Sequence, residues 1–291
     1  MYPRTFDYVA PDDLGEACAL LGKVPRAKVL AGGMSLIPMM KLRVLSPSTV
    51  VDIGRIPGLD QISETPVGFE VGALVRHRQI AASLLFADHA AALSEAAACT
   101  GDAQVRNRGT LCGSLAHADS SADQTAAVLA LGGIMVVRST RGVRTIAADE
   151  FFVDAFTTAL ADDEILSAVR LPRTTDGEGS AYRKLGRRGG SEGFAVAAAA
   201  AWVKVDRGVV VDARVALTGV STRPVLAAGV SAALVGTDGS PGAVRAAVAS
   251  GSGVTLIADL FGSEDYKAHL AEVLATQALD AALDRARSGL E

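Results

Sequence analysis

The stretch Ala31-Gly32-Gly33-Met34-Ser35-Leu36 decides the fold, because it places a two-glycine turn directly after a short apolar strand at Lys28 to Leu30. Glycine has no Cβ, so consecutive glycines let backbone N–H groups face one point and form a concave anion site that Ser35 can complete with its hydroxyl. A second predicted strand, Thr49 to Ile53, makes this an α/β unit. A tight turn that binds nothing explains the same residues, and the GxGxxG and GxxxxGK phosphate-binding patterns are absent.

A second glycine-containing stretch, Thr110-Leu111-Cys112-Gly113-Ser114, lies shortly before a predicted helix that contains Asp123. Gly113 permits close approach to a pyrophosphate, the two hydroxyls can bond to it, and Asp123 can accept hydrogen bonds from sugar hydroxyls. The alternative is a buried glycine turn with Asp123 capping its own helix. Two such stretches in one chain predict a dinucleotide more strongly than either does alone.

Composition excludes several classes of protein. The chain has 291 residues, of which 49% are hydrophobic and 21% charged, as in a soluble protein with a large buried core. Lys and Arg number 28 against 32 Asp and Glu, a net charge of −4, so no basic surplus attracts nucleic acid. No apolar run approaches the roughly 20 residues that span a bilayer, and no signal-peptide core is visible at the start. We therefore predict a cytoplasmic protein without a membrane span.

The cysteines and histidines do not have the spacing of a metal site. Cys18, Cys99 and Cys112 form no CxxC pair, and the four histidines show no HExxH pattern. We therefore predict no metal or iron–sulfur site in this chain. No base and nucleophile that could act on a substrate are evident either, so no catalytic residue is predicted.

Turn residues divide the chain into predicted domains. A polar cluster between Leu171 and Gly179 separates a first domain, 1–175, from a second, 176–291. A Pro-Gly turn at residues 57–58 splits the first domain into lobes 1–57 and 58–175. Four further elements are predicted from periodicity and turn signals: helices over 14–21, 121–131 and 264–287, and a hairpin formed by 195–205 and 209–217.

At the two glycine-containing stretches the sequence resembles the FAD-binding medium subunit of the xanthine dehydrogenase and carbon monoxide dehydrogenase family of molybdenum hydroxylases. The resemblance covers nearly the whole chain and rests on the order and separation of short motifs. These motifs are Ala31 to Pro38, Met40 to Arg43, Val50 to Ile53, Gln104 to Asp123, Asp163 to Leu166 and Tyr182 to Arg188. It implies an α+β fold: an FAD-binding domain of the PCMH type, similar to vanillyl-alcohol oxidase, with two α/β lobes, and then a C-terminal α+β domain of the CO dehydrogenase flavoprotein type.

The resemblance also implies positions for FAD between the lobes. Ala31, Gly32, Gly33, Met34 and Ser35 would hold the pyrophosphate with Leu36 beside them, and Thr110, Leu111, Cys112, Gly113 and Ser114 would line FAD from the other lobe. Asp123 would hold a sugar or ribityl hydroxyl. Leu166 and Lys184 would lie near the flavin ring or the adenine, with a core leucine and a solvated lysine as the alternatives.

The second stretch departs from the family pattern at two positions. The family commonly has glycine where this chain has Cys112 and asparagine where it has Ser114. We expect Cys112 to put a Cβ and a sulfur where close backbone approach was available, and so to shift FAD slightly or tune its exposure.

The resemblance implies an oxidoreductase subunit that takes electrons from iron–sulfur clusters of a partner onto FAD and passes them to an external acceptor. The expected partners are a small subunit with two [2Fe-2S] clusters and a large subunit with the molybdopterin cofactor, where the substrate is oxidised, in a dimer of heterotrimers. One alternative, which Cys112 and Ser114 favour, is a non-catalytic assembly subunit that has lost flavin. Another is a self-contained flavin reductase, which would need its own base near the ring.

Overall fold

The computed structural model describes residues 1–288. The last three residues of the predicted second domain, 289–291, lie outside this described part. None of the helices within it combines the length and the apolar character that crossing a bilayer requires.

The first part of the chain is a three-stranded parallel sheet with two helices. Its elements are β1 (Asp7–Val9), α1 (Leu14–Lys23), β2 (Lys28–Leu30), α2 (Leu36–Lys41) and β3 (Thr49–Asp52). The central strand is β3, which pairs in parallel with β1 on one side and β2 on the other. Helix α1 begins where predicted, because the Asp13 carboxylate accepts the Glu16 N–H at 2.8 Å. The first glycine turn follows the C-terminal end of β2.

The second part is a five-stranded antiparallel sheet in the order β4-β5-β10-β6-β7. Its strands are β4 (Ile62–Thr65), β5 (Gly68–Gly72), β6 (Ile134–Ser139), β7 (Gly142–Ala147) and β10 (Ile165–Pro172), with a small pair β8 (Phe152–Asp154) and β9 (Thr157–Thr158). The helices of this part are α3 (His77–Ala81), α4 (Leu84–His89), α5 (Ala91–Cys99), α6 (Ala103–Arg108), α7 (Leu111–His117), α8 (Asp123–Ala130) and α9 (Ala148–Phe151). Six of them, α3 to α8, follow one another in the chain between β5 and β6, and we call them the helical run.

The third part is a four-stranded antiparallel sheet in the order β11-β12-β13-β14. Its elements are β11 (Glu178–Gly186), β12 (Ala195–Asp206), β13 (Val209–Thr218), β14 (Val225–Leu226), α10 (Ala228–Leu234), α11 (Pro241–Ala249) and α12 (Glu264–Ser288). The predicted hairpin is confirmed: β12 and β13 pair antiparallel around a turn at Arg207 and Gly208, whose φ angles are +48° and +79°. The predicted long C-terminal helix is confirmed as α12.

The alanine-rich strand β12 lies between two cores. Because side chains alternate across a strand, Ala198 and Ala200 pack into the core formed by the first two sheets and their helices, whereas Ala197 and Ala199 pack into the core under α12. Alanine is small enough to let helices approach on both faces, with α8 on one and α12 on the other. Strand β12 therefore joins the third sheet to the helical run that carries the second glycine-containing stretch.

Candidate functional site

The first glycine turn leaves its main-chain donors free. Gly33 has φ +76°, a backbone conformation that favours glycine, and a Cβ there would lie 2.9 Å from the movable Ile37 Cδ1. The Ile37 N–H donates to the Gly33 carbonyl and the Met39 N–H to the Ser35 carbonyl, both at 3.1 Å. Within residues 1–288 the N–H groups of 32–36 donate to no main-chain carbonyl. Five consecutive free amides after a strand form the kind of concave surface that binds a phosphate.

The first glycine turn touches the segment that leads into the second stretch. A Cβ on Gly32 would overlap the carbonyl oxygen of Arg108 and would lie 2.8 Å from the Cα of Gly109. Gly109 is the residue immediately before the second stretch. Glycine at position 32 is therefore what allows the first turn to touch the chain that leads into Thr110.

The second stretch is a helix rather than the glycine turn that we predicted. Thr110 caps α7, since its hydroxyl accepts the Gly113 N–H at 3.1 Å, and 111–117 are helical. The helix turns Leu111 and Cys112 inward, where both side chains are buried. The Leu111 N–H donates to the Val75 carbonyl at 3.0 Å, which joins the helix to the segment before α3.

We expected Cys112 to put its sulfur at a surface of close backbone approach, but its side chain is buried in the core. Its thiol lies 3.9 Å from the carbonyl oxygen of Val71 in β5, on the core side of the helix. Complete burial raises the pKa of this thiol, so it stays protonated. Only the main chain of Cys112 is available to the face where the two stretches meet.

Ser114 begins a chain of polar contacts inside the helical run. Its hydroxyl donates to the Gln124 Oε1 at 3.3 Å, and the Gln124 amide donates to the hydroxyl of Thr100 at the end of α5. Gln124 is fully buried. This chain fixes α7, α8 and the end of α5 relative to one another.

Asp123, at the start of α8, lies in a buried cluster shared with β11. Its Oδ1 accepts a hydrogen bond from the Tyr182 hydroxyl at 2.6 Å and lies 2.8 Å from the Lys184 Nζ. Burial raises the pKa of the Asp123 carboxyl, while the charge of Lys184 and hydrogen bonds from Lys184, Tyr182 and Thr100 oppose that rise. Both alternatives from the sequence are wrong here: Asp123 does not cap α8, and the Lys184 side chain is 0% exposed rather than solvated.

Lys184 joins three segments in addition to Asp123. Its ammonium donates to the carbonyls of Cys99 and Gly193, each at 2.8 Å. Cys99 ends α5, and Gly193 belongs to the glycine-rich loop between β11 and β12. A buried ammonium with an acidic partner and two carbonyls is fully satisfied, which explains why a lysine is stable in this interior.

Leu166 lies in β10 next to a β-bulge and is buried in the same core as α7, which packs against that strand. Its side chain is thus a core leucine in the structure. The predicted residues Ala31 to Leu36, Thr110 to Ser114, Asp123 and Lys184 form a continuous region through the contacts described above.

His77 is a residue at this region that the sequence did not single out. Its main-chain N–H donates to the Gly109 carbonyl at 3.0 Å, and the Cδ2 atom of its ring would lie 2.9 Å from a Cβ on Gly109. Burial lowers the pKa of His77 to about 4, and its Nδ1 has no hydrogen-bond partner within residues 1–288. Nothing in the spacing of a single histidine could have indicated this position.

Two other features bear on what the site can hold. A cavity of about 470 Å³ lies elsewhere, between the second and third parts of the chain, and none of the predicted residues lines it. In the described part of the chain no three His, Cys, Asp or Glu side chains come close enough to hold a metal ion. Free amides for a diphosphate and a buried carboxylate for a hydroxyl are instead a donor and acceptor set that fits a dinucleotide such as FAD.

Comparisons with known proteins agree with this chemistry. Residues 4–174 match the FAD binding domain in molybdopterin dehydrogenase, and residues 180–282 match the CO dehydrogenase flavoprotein C-terminal domain. The chain is 37% identical to the carbon monoxide dehydrogenase medium chain of Hydrogenophaga pseudoflava, over 98% of this chain and 99% of that one. It is 36% identical to the nicotine 6-hydroxylase medium subunit of Paenarthrobacter nicotinovorans, over 92% and 93%.

A solved structure has the same fold. Carbon monoxide dehydrogenase from Hydrogenophaga pseudoflava, in a form that lacks the Mo-pyranopterin moiety of the molybdenum cofactor, superposes with a TM-score of 0.93. The identity is 38%, covering 98% of this chain and 99% of that one. At that identity and coverage the likeness extends to the whole chain.

Proposed function

The chain belongs to the family of FAD-binding medium subunits of the molybdenum hydroxylases, and from this premise we propose that it holds FAD where its first glycine turn meets α7. It is an oxidoreductase subunit with an FAD-binding domain. The observation that carries the proposed position is the run of free amides at 32–36 in direct contact, through Gly32, with the chain that leads into Thr110.

In this proposal the residues divide into three roles. Ala31 to Leu36 bind the diphosphate through main-chain N–H groups, and Thr110 to Ser114 line the same cofactor mainly through their backbone. Asp123 accepts a hydrogen bond from a sugar or ribityl hydroxyl. Lys184 holds the Asp123 carboxylate in its ionised form, and Leu166 supports α7 from the core. The domain boundaries at 57/58 and 175/176 belong to the same proposal.

Bound FAD would accept electrons from iron–sulfur clusters of a partner subunit and deliver them to an external acceptor, singly or in pairs. The part of this chain that the structure describes holds no cluster of metal ligands, which supports substrate oxidation on a companion chain. We propose a small subunit with two [2Fe-2S] clusters and a large molybdopterin subunit as partners, in a dimer of heterotrimers in the cytoplasm. The relatives named above are medium chains or subunits, and they serve enzymes named for carbon monoxide and for nicotine. The substrate is therefore set by a partner.

Replacing Gly33 tests the proposal. Gly33→Glu puts a long, negatively charged side chain among the free amides, and we expect FAD retention to fall at least about tenfold. Gly208→Glu is the matched control, because Gly208 has nearly the same φ, +79° against +76°, yet has no atom within 4 Å of its Cβ position. Flavin released on denaturation is measured against protein for both variants. Full retention in Gly33→Glu, or no flavin in the unsubstituted chain, would contradict the proposal, and the latter would support a flavin-free assembly subunit.

A further inference from the structure

Tyr182 has no role in the proposed function so far, yet it makes the shortest contact with the Asp123 carboxylate. The phenol is buried in β11 and donates to Asp123 Oδ1 at 2.6 Å. Strand alternation places Tyr182 and Lys184 on one face of β11, the face toward α8. The two side chains therefore reach Asp123 from the same direction.

Both contacts are made to a single oxygen of the carboxylate. The Lys184 Nζ lies 2.8 Å from Oδ1, the same atom that accepts the Tyr182 hydrogen bond. Neither contact uses Oδ2. A carboxylate held by one oxygen in two strong, charge-assisted contacts has a fixed plane, which fixes the direction of its second oxygen.

We propose that Tyr182 is a positioning residue: its hydroxyl holds Asp123 by Oδ1 so that Oδ2 is presented, ionised and correctly aimed, to a hydroxyl of the cofactor. This inference rests on the proposed function, in which Asp123 contacts FAD. Tyr182 itself does not touch the cofactor. It acts through Asp123, and removing its hydroxyl should weaken FAD binding without removing any atom of the binding surface.

The electrostatics of the cluster give this role a signature in pH. Burial favours protonation of Asp123, and the phenol is one of the groups that oppose it. The other titratable groups nearby are Cys99 at the end of α5, where burial raises the thiol pKa, and Glu95, whose carboxylate pairs with Arg183 and Arg285. Without the Tyr182 hydroxyl, the pKa of Asp123 rises further, so protonation should compete more with FAD binding as pH falls.

The experiment measures the FAD dissociation constant of the full chain between about pH 5.5 and pH 8.5 by flavin fluorescence. We expect Tyr182→Phe to weaken binding about tenfold at the alkaline end and progressively more as pH falls, with a shallower dependence in the unsubstituted chain. Tyr8→Phe is the matched control, because Tyr8 makes a phenol-to-carboxylate hydrogen bond of the same 2.6 Å length to Asp52. Parallel pH profiles for Tyr182→Phe and the unsubstituted chain would overturn the inference.

A double-mutant cycle separates this inference from the proposed function. With Asp123→Asn in place, Tyr182→Phe should cause no further loss of FAD affinity, because the carboxylate that it positions is gone. The double variant is also useful if Tyr182→Phe alone does not fold. It has no buried carboxylate at position 123, so the loss of the phenol leaves no charged group without a hydrogen-bond donor. An equal loss in both backgrounds would refute positioning through Asp123. If Gly33→Glu binds FAD normally, the proposed function fails and this inference fails with it. If Gly33→Glu loses FAD but Tyr182→Phe binds it like the unsubstituted chain, only this inference fails and the proposed function stands.

Discussion

Gly32 lies so close to the main chain of Arg108 that a Cβ at Gly32 would overlap the Arg108 carbonyl oxygen. The two residues are far apart in the sequence: Gly32 lies in the turn after β2, and Arg108 ends α6. Their contact is the point at which the first glycine turn and the approach to α7 become one surface.

The contact predicts a large effect of one methyl group. Gly32→Ala should push the turn away from Arg108, weaken FAD retention at least about tenfold and destabilise the fold by about 2 kcal/mol, as overpacking does elsewhere. Gly242→Ala is the control, because the nearest atom to a Cβ there is 3.9 Å away in a helix. Flavin content and urea unfolding measure both effects. An alanine tolerated equally well at both positions would contradict the contact between the two stretches.

The buried orientation of Cys112 predicts that its sulfur does not affect flavin. Cys112→Ala should retain the same flavin content and the same absorbance spectrum, with a loss of stability of about 1 kcal/mol from the small cavity. Cys18→Ala, which removes another buried thiol in the same core, should cost a similar amount. A shifted flavin spectrum in Cys112→Ala alone would show that the thiol reaches the cofactor.

The buried His77 predicts a specific dependence of stability on pH. The pKa of His77 is about 4 in the folded chain against 6.5 for a free histidine, so the unfolded chain binds more protons between these values. Stability contributed by the neutral ring is present above pH 6.5 and is lost as pH falls toward 4. Between pH 7 and pH 5 this loss is about 2 kcal/mol.

The measurement is urea unfolding at the two pH values. The difference in unfolding free energy between pH 7 and pH 5 should be smaller in His77→Phe than in the unsubstituted chain, by about that amount. His269→Asn changes an exposed histidine and should leave the difference as it is. The same difference between pH 7 and pH 5 in His77→Phe and in the unsubstituted chain would contradict the lowered pKa of His77.

The Glu164–Arg144 pair predicts a variant whose loss of stability is largest at neutral pH and smaller in acid. The Arg144 guanidinium holds the pKa of the Glu164 carboxyl below its usual range, with contacts of 2.8 and 2.7 Å. Glu164→Gln should cost about 1 to 3 kcal/mol at neutral pH, with the lower half of that range favoured because Arg144 is 49% exposed. A depressed carboxyl stabilises above its unfolded pKa, so the cost should shrink below about pH 4.

The control for this pair is Glu70→Gln, which breaks an exposed contact with Arg170 and should cost less than about 1 kcal/mol. Urea unfolding at neutral and acidic pH measures both variants. A cost in Glu164→Gln that stays constant as pH falls would show that packing, rather than charge, accounts for it.

Local patterns in the sequence predicted the elements that depend on residues close together in the chain. Asp13 caps α1, the Asp206-Arg207-Gly208 turn forms the β12–β13 hairpin, and the apolar face of 264–287 forms α12, because capping, turn geometry and periodicity are properties of neighbouring residues. The resemblance to the medium subunits predicted the family and the FAD-binding domain, which the comparisons confirm.

Contacts between distant segments could not be predicted in this way. A run containing glycines and hydroxyls suggested a turn at 110–114, but Thr110 caps a helix there and buries Cys112. A solvated Lys184, the alternative to a position near FAD, is ordinary for a lysine on a strand, whereas Asp123 and two carbonyls from other segments satisfy it in the interior. Tyr182 entered the sequence analysis only as part of the motif 182–188, since its pairing with Asp123 depends on the fold.

The alternating burial of β12 limits how such a protein can be altered or recombined. From Ala197 to Ala201 its odd- and even-numbered alanines belong to different interiors, so a larger residue at any of these positions would disturb one interior and, through the shared backbone, tilt the other. Strand β12 is therefore a poor junction for a chimaera in which one half of the chain comes from a relative. A medium subunit with this architecture is therefore transferable between enzyme complexes only as a whole.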